Sequence, residues 1–481
     1  MLSVILLTYK IMRGDKNMFS KDTYIERRKK LKDTLKNGVV LICGNDLSPM
    51  NYEDNTYPFI QDSTFLYYFG LNRENLFGVI DIDNDKEYIF GKELTMDDII
   101  WMGPQVTLLE QCESIGIENL CDTEELGKFL KDKKNNGVKI HYITQYRHSI
   151  IIKISEWLGI NPSEVNEGVS EELSFAVANQ RNIKTPEEIE EIEKAVNVTR
   201  AMHLAAMEKV KSGMMEYEVA AIIENEARKL NCTLSFPTIC TINGQTLHNH
   251  DYSHKIKEGD ILLIDAGART ESGYCGDMTT SQPVSGKFTE KQRDIYSLLI
   301  SMYEKAEELI RPGITYKEVH LGVCRVLAEG MKDRGILKGN IDDIIEKGVH
   351  AFLMPHGLGH MMGLDVHDME NIGEPIVGYN GEKKSTQFGL SSLRLGRVLE
   401  EGFVFTVEPG IYFIPELISK WKSENKFVEY INYDELEKYI GFGGMRYEGD
   451  YLVTKDGNRR LGDKMPKYAN EIEKVREKAF V

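Results

Sequence analysis

The sequence lacks the patterns that mark several common classes of protein. Its seven cysteines form no CxxC pair and are odd in number, so they indicate reduced thiols in a cytoplasmic protein. There is no HExxH motif, the pattern of a helical zinc peptidase site. The apolar run over residues 4–7 is too short for a membrane span or a signal-peptide core. Basic residues are in deficit, and the formal net charge of −17 argues against binding to nucleic acid or to an anionic membrane.

The length of 481 residues allows two or three domains with sizeable cores. Residues 18–184 alternate short apolar runs with amphipathic stretches, which predicts an α/β domain. Within it, GVVLICG and LFGVIDID are expected strands, whereas IERRKKLKDTL and EELGKFLKD are expected helices. Residues 1–17 fit neither a domain nor a targeting signal. We therefore expect either a natural start at Met18 or a loose N-terminal extension.

A second domain is predicted to begin just before Thr185. Thr185 is expected to cap a helix, Pro186 to be its first residue and Glu188 to complete a capping box. Further strands, among them ILLID, FVFTVEP and YLVT, alternate with helices as far as residue 465. This pattern predicts an α+β domain over residues 185–465 and a charged helical tail over residues 466–481.

Five residues in buried or glycine-rich contexts indicate a metal site. They are Asp265 and Asp277 in IDAGARTESGYCGDMTT, His360 in PHGLGHMMGLDVHD, Glu408 in FTVEPGIYF and Glu448 in GMRYEGDYLVT. Buried carboxylates are costly unless positive charge pairs with them, and the local sequence offers few Lys or Arg. Two divalent cations would balance the four carboxylates. Oxygen ligands with one imidazole suit Mn²⁺, Co²⁺ or Zn²⁺ in a two-metal site.

Local patterns indicate how these side chains approach one another. Asp265 ends an apolar run that predicts a strand buried on both faces, and a turn rich in Gly and Ser separates it from Asp277. The two aspartates are therefore expected to face each other across a hairpin. Because side chains alternate along a strand, Arg446 is expected beside Glu448, where it could orient a carboxylate. Each residue alone is a weak signal, since a single buried acid is more often an ion pair or a helix cap.

The chain resembles the metallopeptidases with the pita-bread fold, in the branch that contains Xaa-Pro aminopeptidase (aminopeptidase P) and Xaa-Pro dipeptidase (prolidase). The motifs that carry the resemblance are LLIDAG, YCGDMT, MPHGLGHMMGLDVHD, SLRLGRVLEEGFVFTVEPGIYF and GFGGMRYEGDYLVT. In the first half, FIQDSTFLYYFG resembles the N-terminal domain of that branch. The resemblance implies an aminopeptidase P-like N-terminal domain over residues 18–184. It also implies a pita-bread catalytic domain with a curved antiparallel sheet over residues 185–465.

The resemblance further implies roles for individual residues. The five candidate ligands fall on the metal positions of the family, with Asp277 and Glu448 as the bridging ligands. Arg394, in SLRLGR, falls on an arginine that prolidases use near the carboxylate of the substrate. The residues with implied catalytic or supporting roles are Glu408, His248, His356, His367 and Arg446. Substrate contacts are expected from Arg394, His248, His367 and Phe236.

Two features depart from the family pattern, and a third is shared with only one part of the family. The spacing between Asp265 and Asp277 is one residue longer than expected, so the tip of the hairpin is expected to bulge. Phe236 stands where a tyrosine is common, in a shortened segment before His248. Residues 415–439 form an insertion like that of prolidases. The first two departures concern the substrate contacts more than the metal site.

The expected activity is metal-dependent hydrolysis of Xaa-Pro bonds, which releases the N-terminal residue from peptides with proline in second position. Metal-activated water would attack the carbonyl, and Glu408 would carry its proton to the proline nitrogen. His367 or His248 would stabilise the oxyanion. A prolidase restricted to Xaa-Pro dipeptides is the first alternative, favoured by Arg394 and the insertion. A metal-free binding module or a creatinase-like hydrolase is a remote alternative, because such relatives lose ligands that this chain retains.

The resemblance also implies cofactors and partners. We expect two divalent metal ions per chain, with Mn²⁺ favoured over Co²⁺ or Zn²⁺. The expected partners are small peptides with proline in second position and a second copy of the chain in a homodimer. No nucleic acid and no membrane are expected to bind, and the expected location is the cytoplasm.

Overall fold

The structure, a computed structural model, describes residues 18–481. The extension predicted over residues 1–17 lies outside the described residues. The chain divides into two compact units between Arg181 and Asn182, close to the boundary that the sequence places before Thr185. The functional limits of the two domains stay predictions.

The first unit contains helices around a mixed five-stranded sheet. Its helices are α1 (Lys21–Leu35), α2 (Ser63–Phe69), α3 (Met96–Met102), α4 (Leu108–Ser114), α5 (Thr123–Asn135), α6 (His148–Leu158) and α7 (Glu171–Asn182), with a 3-10 turn at Pro162–Glu164. Its strands are β1 (Val39–Cys43), β2 (Pro49–Tyr52), β3 (Asn55–Thr56), β4 (Phe77–Asp81), β5 (Lys86–Phe90), β6 (Asn119–Cys121) and β7 (Ile140–His141). The sheet order is β6-β5-β4-β1-β7, and β2 pairs with β3 in a separate hairpin. Strand β4 runs antiparallel to β1 and β5, whereas β6 and β7 run parallel to their neighbours.

Helix α2, with its aromatic residues Phe65, Tyr67, Tyr68 and Phe69, belongs to the core of the first unit. The carboxylate of Asp62 caps α2 by accepting a hydrogen bond from the backbone N–H of Phe65, and every residue of α2 is buried. All residues of the apolar strands β1 and β4 are buried as well. Burial of these large rings supplies much of the apolar contact of the unit. Packing in the core therefore accounts for the aromatic residues of α2.

The second unit carries the longer helices. They are α8 (Pro186–Lys209), α9 (Glu216–Lys229), α10 (Glu290–Leu309), α11 (Tyr316–Asp333), α12 (Ile341–Glu346), α13 (Glu374–Val377), α14 (Pro415–Ser423), α15 (Tyr433–Glu437) and α16 (Ala469–Arg476), with 3-10 turns at Val349–Phe352, Leu390–Ser392 and Glu477–Phe480. The insertion over residues 415–439 thus folds into α14 and α15. No helix among residues 18–481 is long and apolar enough to cross a membrane.

The strands of the second unit form several small antiparallel ladders. They are β8 (Thr233–Leu234), β9 (Ile239–Thr241), β10 (Ile261–Ala266), β11 (Ala268–Arg269), β12 (Met278–Pro283), β13 (Val404–Val407), β14 (Gly410–Tyr412), β15 (Gly444–Arg446), β16 (Gly449–Val453) and β17 (Asn458–Arg460). The ladder orders are β12-β10-β9, β13-β16-β17, β14-β15 and β11-β8. Each of these pairings is antiparallel, as expected for the catalytic domain.

Helix α8 begins as the sequence predicts and supports the central strands. Glu188 Oε2 accepts from the backbone N–H of Thr185 at 3.0 Å, and Thr185 Oγ1 accepts from the backbone N–H of Glu188 at 3.4 Å. Pro186 is the first residue of the helix. Helix α8 then packs against α9, β10 and β12. Thr199 of this helix accepts a hydrogen bond from the backbone N–H of Ala268 at 2.8 Å, so α8 fixes the hairpin that carries two candidate ligands.

The C-terminal segment is anchored in the second unit. Arg476 is fully buried and donates hydrogen bonds to the backbone carbonyls of Met207, Val210 and Val284. Residues 466–481 are predicted from the sequence as a charged helical tail. In the structure this segment belongs to the second unit, because a buried guanidinium needs the carbonyl partners found there.

Candidate metal centre

Strand pairing brings Asp265 and Asp277 together. In the register of β10 with β12, Asp265 lies opposite Thr279, and Asp277 directly precedes β12. The connecting loop closes through a hydrogen bond from the backbone N–H of Thr270 to the carbonyl of Tyr274 at 3.0 Å. Both aspartates are buried. The hairpin expected from the sequence is therefore present.

His360 lies in an irregular glycine-rich segment that runs beside β13. Its backbone N–H donates to Thr406 Oγ1 at 3.1 Å, and its carbonyl accepts from the backbone N–H of Thr406 at 3.0 Å. A Cβ atom on Gly359 would lie 2.0 Å from the carbonyl oxygen of Thr406, so only glycine allows this close approach. His360 Nδ1 donates to the carbonyl of Met361 at 3.0 Å. This bond fixes the tautomer and leaves Nε2 available as a ligand.

The imidazole of His360 points at two carboxylates. Its Nε2 lies 3.5 Å from Asp277 Oδ2 and 3.7 Å from Glu408 Oε1. Burial lowers the pKa of His360, so the ring is neutral at neutral pH. A neutral ring forms no ion pair with these acids, and its lone pair is the form that binds a metal ion.

The two glutamates lie just outside regular strands. Glu408 follows β13, and its backbone N–H donates to the carbonyl of Leu358 at 2.8 Å. Glu448 lies between β15 and β16, and its backbone N–H donates to the carbonyl of Thr279 at 3.0 Å. Thr279 Oγ1 also donates to Glu448 Oε2 at 2.6 Å. The glutamates thus reach the hairpin of the aspartates from a different ladder.

Burial, together with mutual repulsion, raises the pKa of Asp277, Glu408 and Glu448. Asp277, His360 and Glu448 each offer one ligand atom, and these three atoms lie within 4.8 Å of one another. Burial, followed by repulsion from Asp265, raises the pKa of Asp277 well above its ordinary range. Burial, followed by repulsion from Asp277, does the same for Glu448, and burial raises the pKa of Glu408 to about 7. A bound cation would remove this penalty on the ionised forms.

Unpaired buried oxygens at the cluster fit a divalent cation. Asp265 Oδ1 and Asp277 Oδ1 are buried and accept no hydrogen bond from the protein residues described. A buried carboxylate oxygen without a partner is costly, and both oxygens belong to the same group of acids. Carboxylate oxygens with one imidazole are the donor set of Mn²⁺, Co²⁺ or Zn²⁺. The residues present therefore fit metal ions at this place.

Arg446 is fixed by three directed hydrogen bonds. Its Nη2 donates to Asp265 Oδ2 at 2.5 Å, its Nη1 to Tyr412 Oη at 2.8 Å and its Nε to Thr279 Oγ1 at 3.0 Å. The carboxylate that Arg446 contacts is thus that of Asp265, whereas strand alternation suggested Glu448. Alternation fails because Arg446 ends β15 and Glu448 precedes β16, two strands of different ladders.

The three candidate histidines occupy different positions. His356 is held by the carbonyl of Gly357 at 2.7 Å and by Tyr412 Oη at 2.9 Å, and burial lowers its pKa to about 3. His367 Nδ1 lies 2.6 Å from Glu370 Oε2, and burial lowers the pKa of His367 to about 4. His248 is exposed at the mouth of the site, and desolvation lowers its pKa too.

Arg394 reaches the site already paired with acids. Its Nη1 contacts Glu370 Oε1 and lies 3.2 Å from Glu374 Oε1. The other oxygen of Glu374 contacts Lys384 Nζ. Arg394 therefore sits in a chain of alternating charges that sequence reasoning did not predict.

All of the candidate residues line one cavity of about 580 Å³. Its lining includes the five candidate ligands and the other residues singled out from the sequence, which are Phe236, His248, His356, His367, Arg394 and Arg446. Sequence reasoning missed the supporting residues Thr279, Thr406, Tyr412 and Glu370. Thr279, Thr406 and Tyr412 lie within the quoted motifs and Glu370 lies just after one, but the contacts that give them a role join segments distant in the chain.

A second cluster of potential ligands lies in the core. His320, Cys324 and His350 offer ligand atoms within 4.8 Å of one another, and all three are buried. Cys324 Sγ and His320 Nε2 are 3.5 Å apart. Burial lowers the pKa of His320 to about 3 and raises that of the Cys324 thiol far above neutrality. None of the three lines the 580 Å³ cavity, and as uncharged groups they pack without a counter-ion.

The comparisons with known proteins decide the family. Residues 190–455 match the model of metallopeptidase family M24, and residues 24–141 match the N-terminal domain of aminopeptidase P. The chain belongs to metallopeptidase family M24. The M24 match covers the segment that contains all five candidate ligands, so family membership implies divalent metal ions in this protein. The predicted family and fold class are confirmed.

Relatives of this M24 chain include both an Xaa-Pro aminopeptidase and an Xaa-Pro dipeptidase. It is 30% identical over 472 residues to the Xaa-Pro aminopeptidase of Escherichia coli, with 94% of this chain and 97% of that protein covered. It is also 30% identical over 462 residues to the human Xaa-Pro dipeptidase, with 93% of this chain and 90% of that protein covered. Equal identity to the two enzymes leaves the choice between aminopeptidase and dipeptidase to the site itself.

Solved structures give the same result for the fold of this M24 chain. A variant of E. coli aminopeptidase P in complex with substrate superposes with a TM-score of 0.80 at 28% identity, over 96% of this chain and 99% of that one. A zinc-substituted form of that enzyme in complex with product gives a TM-score of 0.79 at 28% identity, again over 96% and 99%. Proline aminopeptidase P II from Yersinia pestis gives 0.79 at 26% identity, over 95% of this chain and 100% of that one.

Proposed function

We propose that this protein is a metal-dependent Xaa-Pro aminopeptidase, which releases the N-terminal residue from peptides with proline in second position. One observation carries the proposal. Four carboxylates and His360 converge in one 580 Å³ cavity, and two of the buried carboxylate oxygens accept no hydrogen bond from residues 18–481. The names of the similar proteins, Xaa-Pro aminopeptidase and Xaa-Pro dipeptidase, supply the reaction class.

The proposed ligands are the five residues predicted from the sequence. Asp265, Asp277, Glu408 and Glu448 would hold the ions through their carboxylates, and His360 would hold them through its imidazole. Mn²⁺ is the favoured metal, with Co²⁺ or Zn²⁺ as alternatives, and two ions per chain are proposed. When bound, the ions would polarise the substrate carbonyl and lower the pKa of a water molecule at the site.

The residues of the chain then divide the remaining work. Glu408 would take the proton of the attacking water and deliver it to the nitrogen of proline. His248 lines the cavity, and desolvation lowers its pKa, so its neutral ring would donate a hydrogen bond to the oxyanion. His367 lines the cavity too, but its Nδ1–H is held by the ionised carboxylate of Glu370, so its neutral ring has no second N–H for the oxyanion. Arg446 would hold Asp265 in place. His356 would act through Tyr412, whose hydroxyl contacts both His356 and Arg446.

The substrate is proposed to be a small peptide whose proline lies close to Phe236. Phe236 lines the same cavity as the acids, and its ring offers an apolar surface to the pyrrolidine. Proline forms a tertiary amide without an N–H, so a site that makes no use of that donor suits it. Arg394 and the insertion over residues 415–439 favour the dipeptidase alternative, whereas the contacts of Arg394 with two acids weigh against it.

The assembly and location belong to the same proposal. We propose a homodimer, supported by helix α3, where Met96, Ile100, Trp101 and Met102 are exposed and no residue is buried. A cytoplasmic location is proposed from the odd number of unpaired cysteines. Light scattering at several protein concentrations would test the dimer, and a monomer at all concentrations would contradict it.

A substrate comparison tests the proposed activity. The Mn²⁺-reconstituted protein would be incubated with an Xaa-Pro-Yaa tripeptide and with the matched Xaa-Ala-Yaa tripeptide. Release of the first residue from the proline peptide alone is expected. Acetylation of the N-terminal amine serves as a control for exopeptidase action and is expected to abolish cleavage. Equal cleavage of the alanine peptide would contradict the proposal.

A further inference from the structure

The charge of Arg394 is already balanced within the protein. Its Nη1 contacts Glu370 and lies 3.2 Å from Glu374, so two carboxylates share one guanidinium. Lys384 contacts the far oxygen of Glu374 and brings the four-residue group to a net charge of zero. Attraction between ions depends on the net charge at the site, so this group offers little pull to a further carboxylate.

Glu370 lies between Arg394 and His367 and contacts both. One of its oxygens contacts Arg394, and the other lies 2.6 Å from His367 Nδ1. Its bond to His367, followed by attraction to charges nearby, lowers the pKa of Glu370 to about 2, so it stays ionised at neutral pH. Both Glu370 and Glu374 line a small cavity of about 30 Å³ that adjoins the large one, and Arg394 lines both.

The position of a carboxylate differs between the two substrate classes. In an Xaa-Pro dipeptide, proline is the C-terminal residue and carries the free carboxylate. This carboxylate lies on the proline side of the bond that is cleaved. In a longer peptide an uncharged amide occupies that place. A positive group near the proline therefore favours dipeptides, and a neutralised one removes the preference.

We propose that Glu370 is a specificity-determining residue that neutralises Arg394 and so disfavours Xaa-Pro dipeptides relative to longer peptides. This inference rests on the proposed Xaa-Pro peptidase function and names the substrate length that the same site prefers. Glu374 contributes in the same direction, but more weakly, because Lys384 already balances it.

The test compares two substrates that differ only in charge. Xaa-Pro with a free carboxylate and Xaa-Pro with a C-terminal amide would be assayed with the wild-type protein and with Glu370→Gln. Glutamine keeps the length and hydrogen-bonding capacity of the side chain but removes its charge. The carboxylate-to-amide ratio of kcat/KM should rise roughly fivefold in the variant, the upper end for a partly exposed ion pair.

A ratio isolates the charge effect from any general effect on His367. Loss of hydrogen bonding to His367 would lower both rates and leave the ratio unchanged. Glu374→Gln is the matched control at the same arginine and should raise the ratio by a smaller factor. An unchanged or lowered ratio in Glu370→Gln would overturn the inference, as would a rise confined to Glu374→Gln. Failure of the wild-type protein to cleave either substrate or any Xaa-Pro-Yaa peptide would instead overturn the proposed function.

Discussion

Arg446 and Asp265 are 181 positions apart in the chain, yet Arg446 Nη2 donates a hydrogen bond to Asp265 Oδ2 at 2.5 Å. The same guanidinium also holds Tyr412 and Thr279, and Thr279 in turn donates to Glu448. One buried cation therefore orients candidate ligands of two different ladders. The second oxygen of Asp265 accepts no hydrogen bond from the part of the chain that the structure describes, so it can serve as a metal ligand.

Arg446→Lys should weaken metal binding while the charge is kept. A lysine reaches one of the three partners, so Asp265 loses its fixed orientation. Loss of such a supporting contact lowers metal affinity or activity by roughly 10- to 100-fold. Titration of the metal-free variant with Mn²⁺ would measure the affinity. Arg459→Lys, at an exposed pair with Glu193, is the control and should bind as the wild type does.

Glu408→Gln should preserve the fold and lower kcat strongly. The change removes both a charged ligand and the proposed proton carrier, and general-base catalysis contributes roughly 10²- to 10⁴-fold. kcat would be measured on an Xaa-Pro-Yaa peptide at saturating metal, with circular dichroism to verify folding. Glu416→Gln, on the exposed side of α14, is the matched control. A variant that retains near-normal kcat would refute the role of Glu408.

Metal binding should release protons near neutral pH. The pKa of Glu408 is raised to about 7, and those of Asp277 and Glu448 are also raised, so the metal-free site holds protons. Protons therefore compete with metal ions, and affinity should fall as the pH falls below about 7. Calorimetry in buffers of different ionisation enthalpy would count the protons. A pH-independent affinity without proton release would be inconsistent with this account.

Asp368→Asn should destabilise the second unit. Lys184 Nζ lies 3.0 Å from Asp368 Oδ2, and both side chains are almost fully buried. Removal of one partner leaves a buried charge uncompensated, which costs about 3–5 kcal/mol of unfolding free energy. Urea unfolding would measure this loss. Lys422→Gln, at the exposed pair with Glu437, should cost less than about 1 kcal/mol. Similar losses of unfolding free energy in the two variants would contradict the claim that the buried pair contributes more to stability than the exposed one.

Much of the fold followed from local patterns in the sequence. The cap at Thr185, the buried strand that carries Asp265 and the hairpin to Asp277 depend on neighbours within a few residues, so the letters alone predict them. The five candidate ligands stood out from their buried or glycine-rich contexts and from motifs that resemble a known family. The convergence of these residues in one cavity agrees with that reading, while their roles remain proposals.

Contacts between distant segments could not be predicted in this way. Arg446 was expected beside Glu448 because alternation was applied across a break between two ladders. Glu370 and Glu374 were missed because Arg394 follows them by 24 and 20 residues. Their ion pairs with Arg394 form only when the chain folds. The motif SLRLGR identifies Arg394 but not its partners. The partners determine the net charge of the group around Arg394.

A metal titration of the stripped protein tests the central claim most directly. Chelated and dialysed protein would receive Mn²⁺ in steps while Xaa-Pro-Yaa cleavage and bound metal are measured together. The account predicts no activity without metal and a plateau at about two ions per chain, as in other two-metal hydrolases. The variant Asp277→Asn should bind fewer ions and stay inactive. Full activity of the metal-free protein in the presence of chelator would contradict the account.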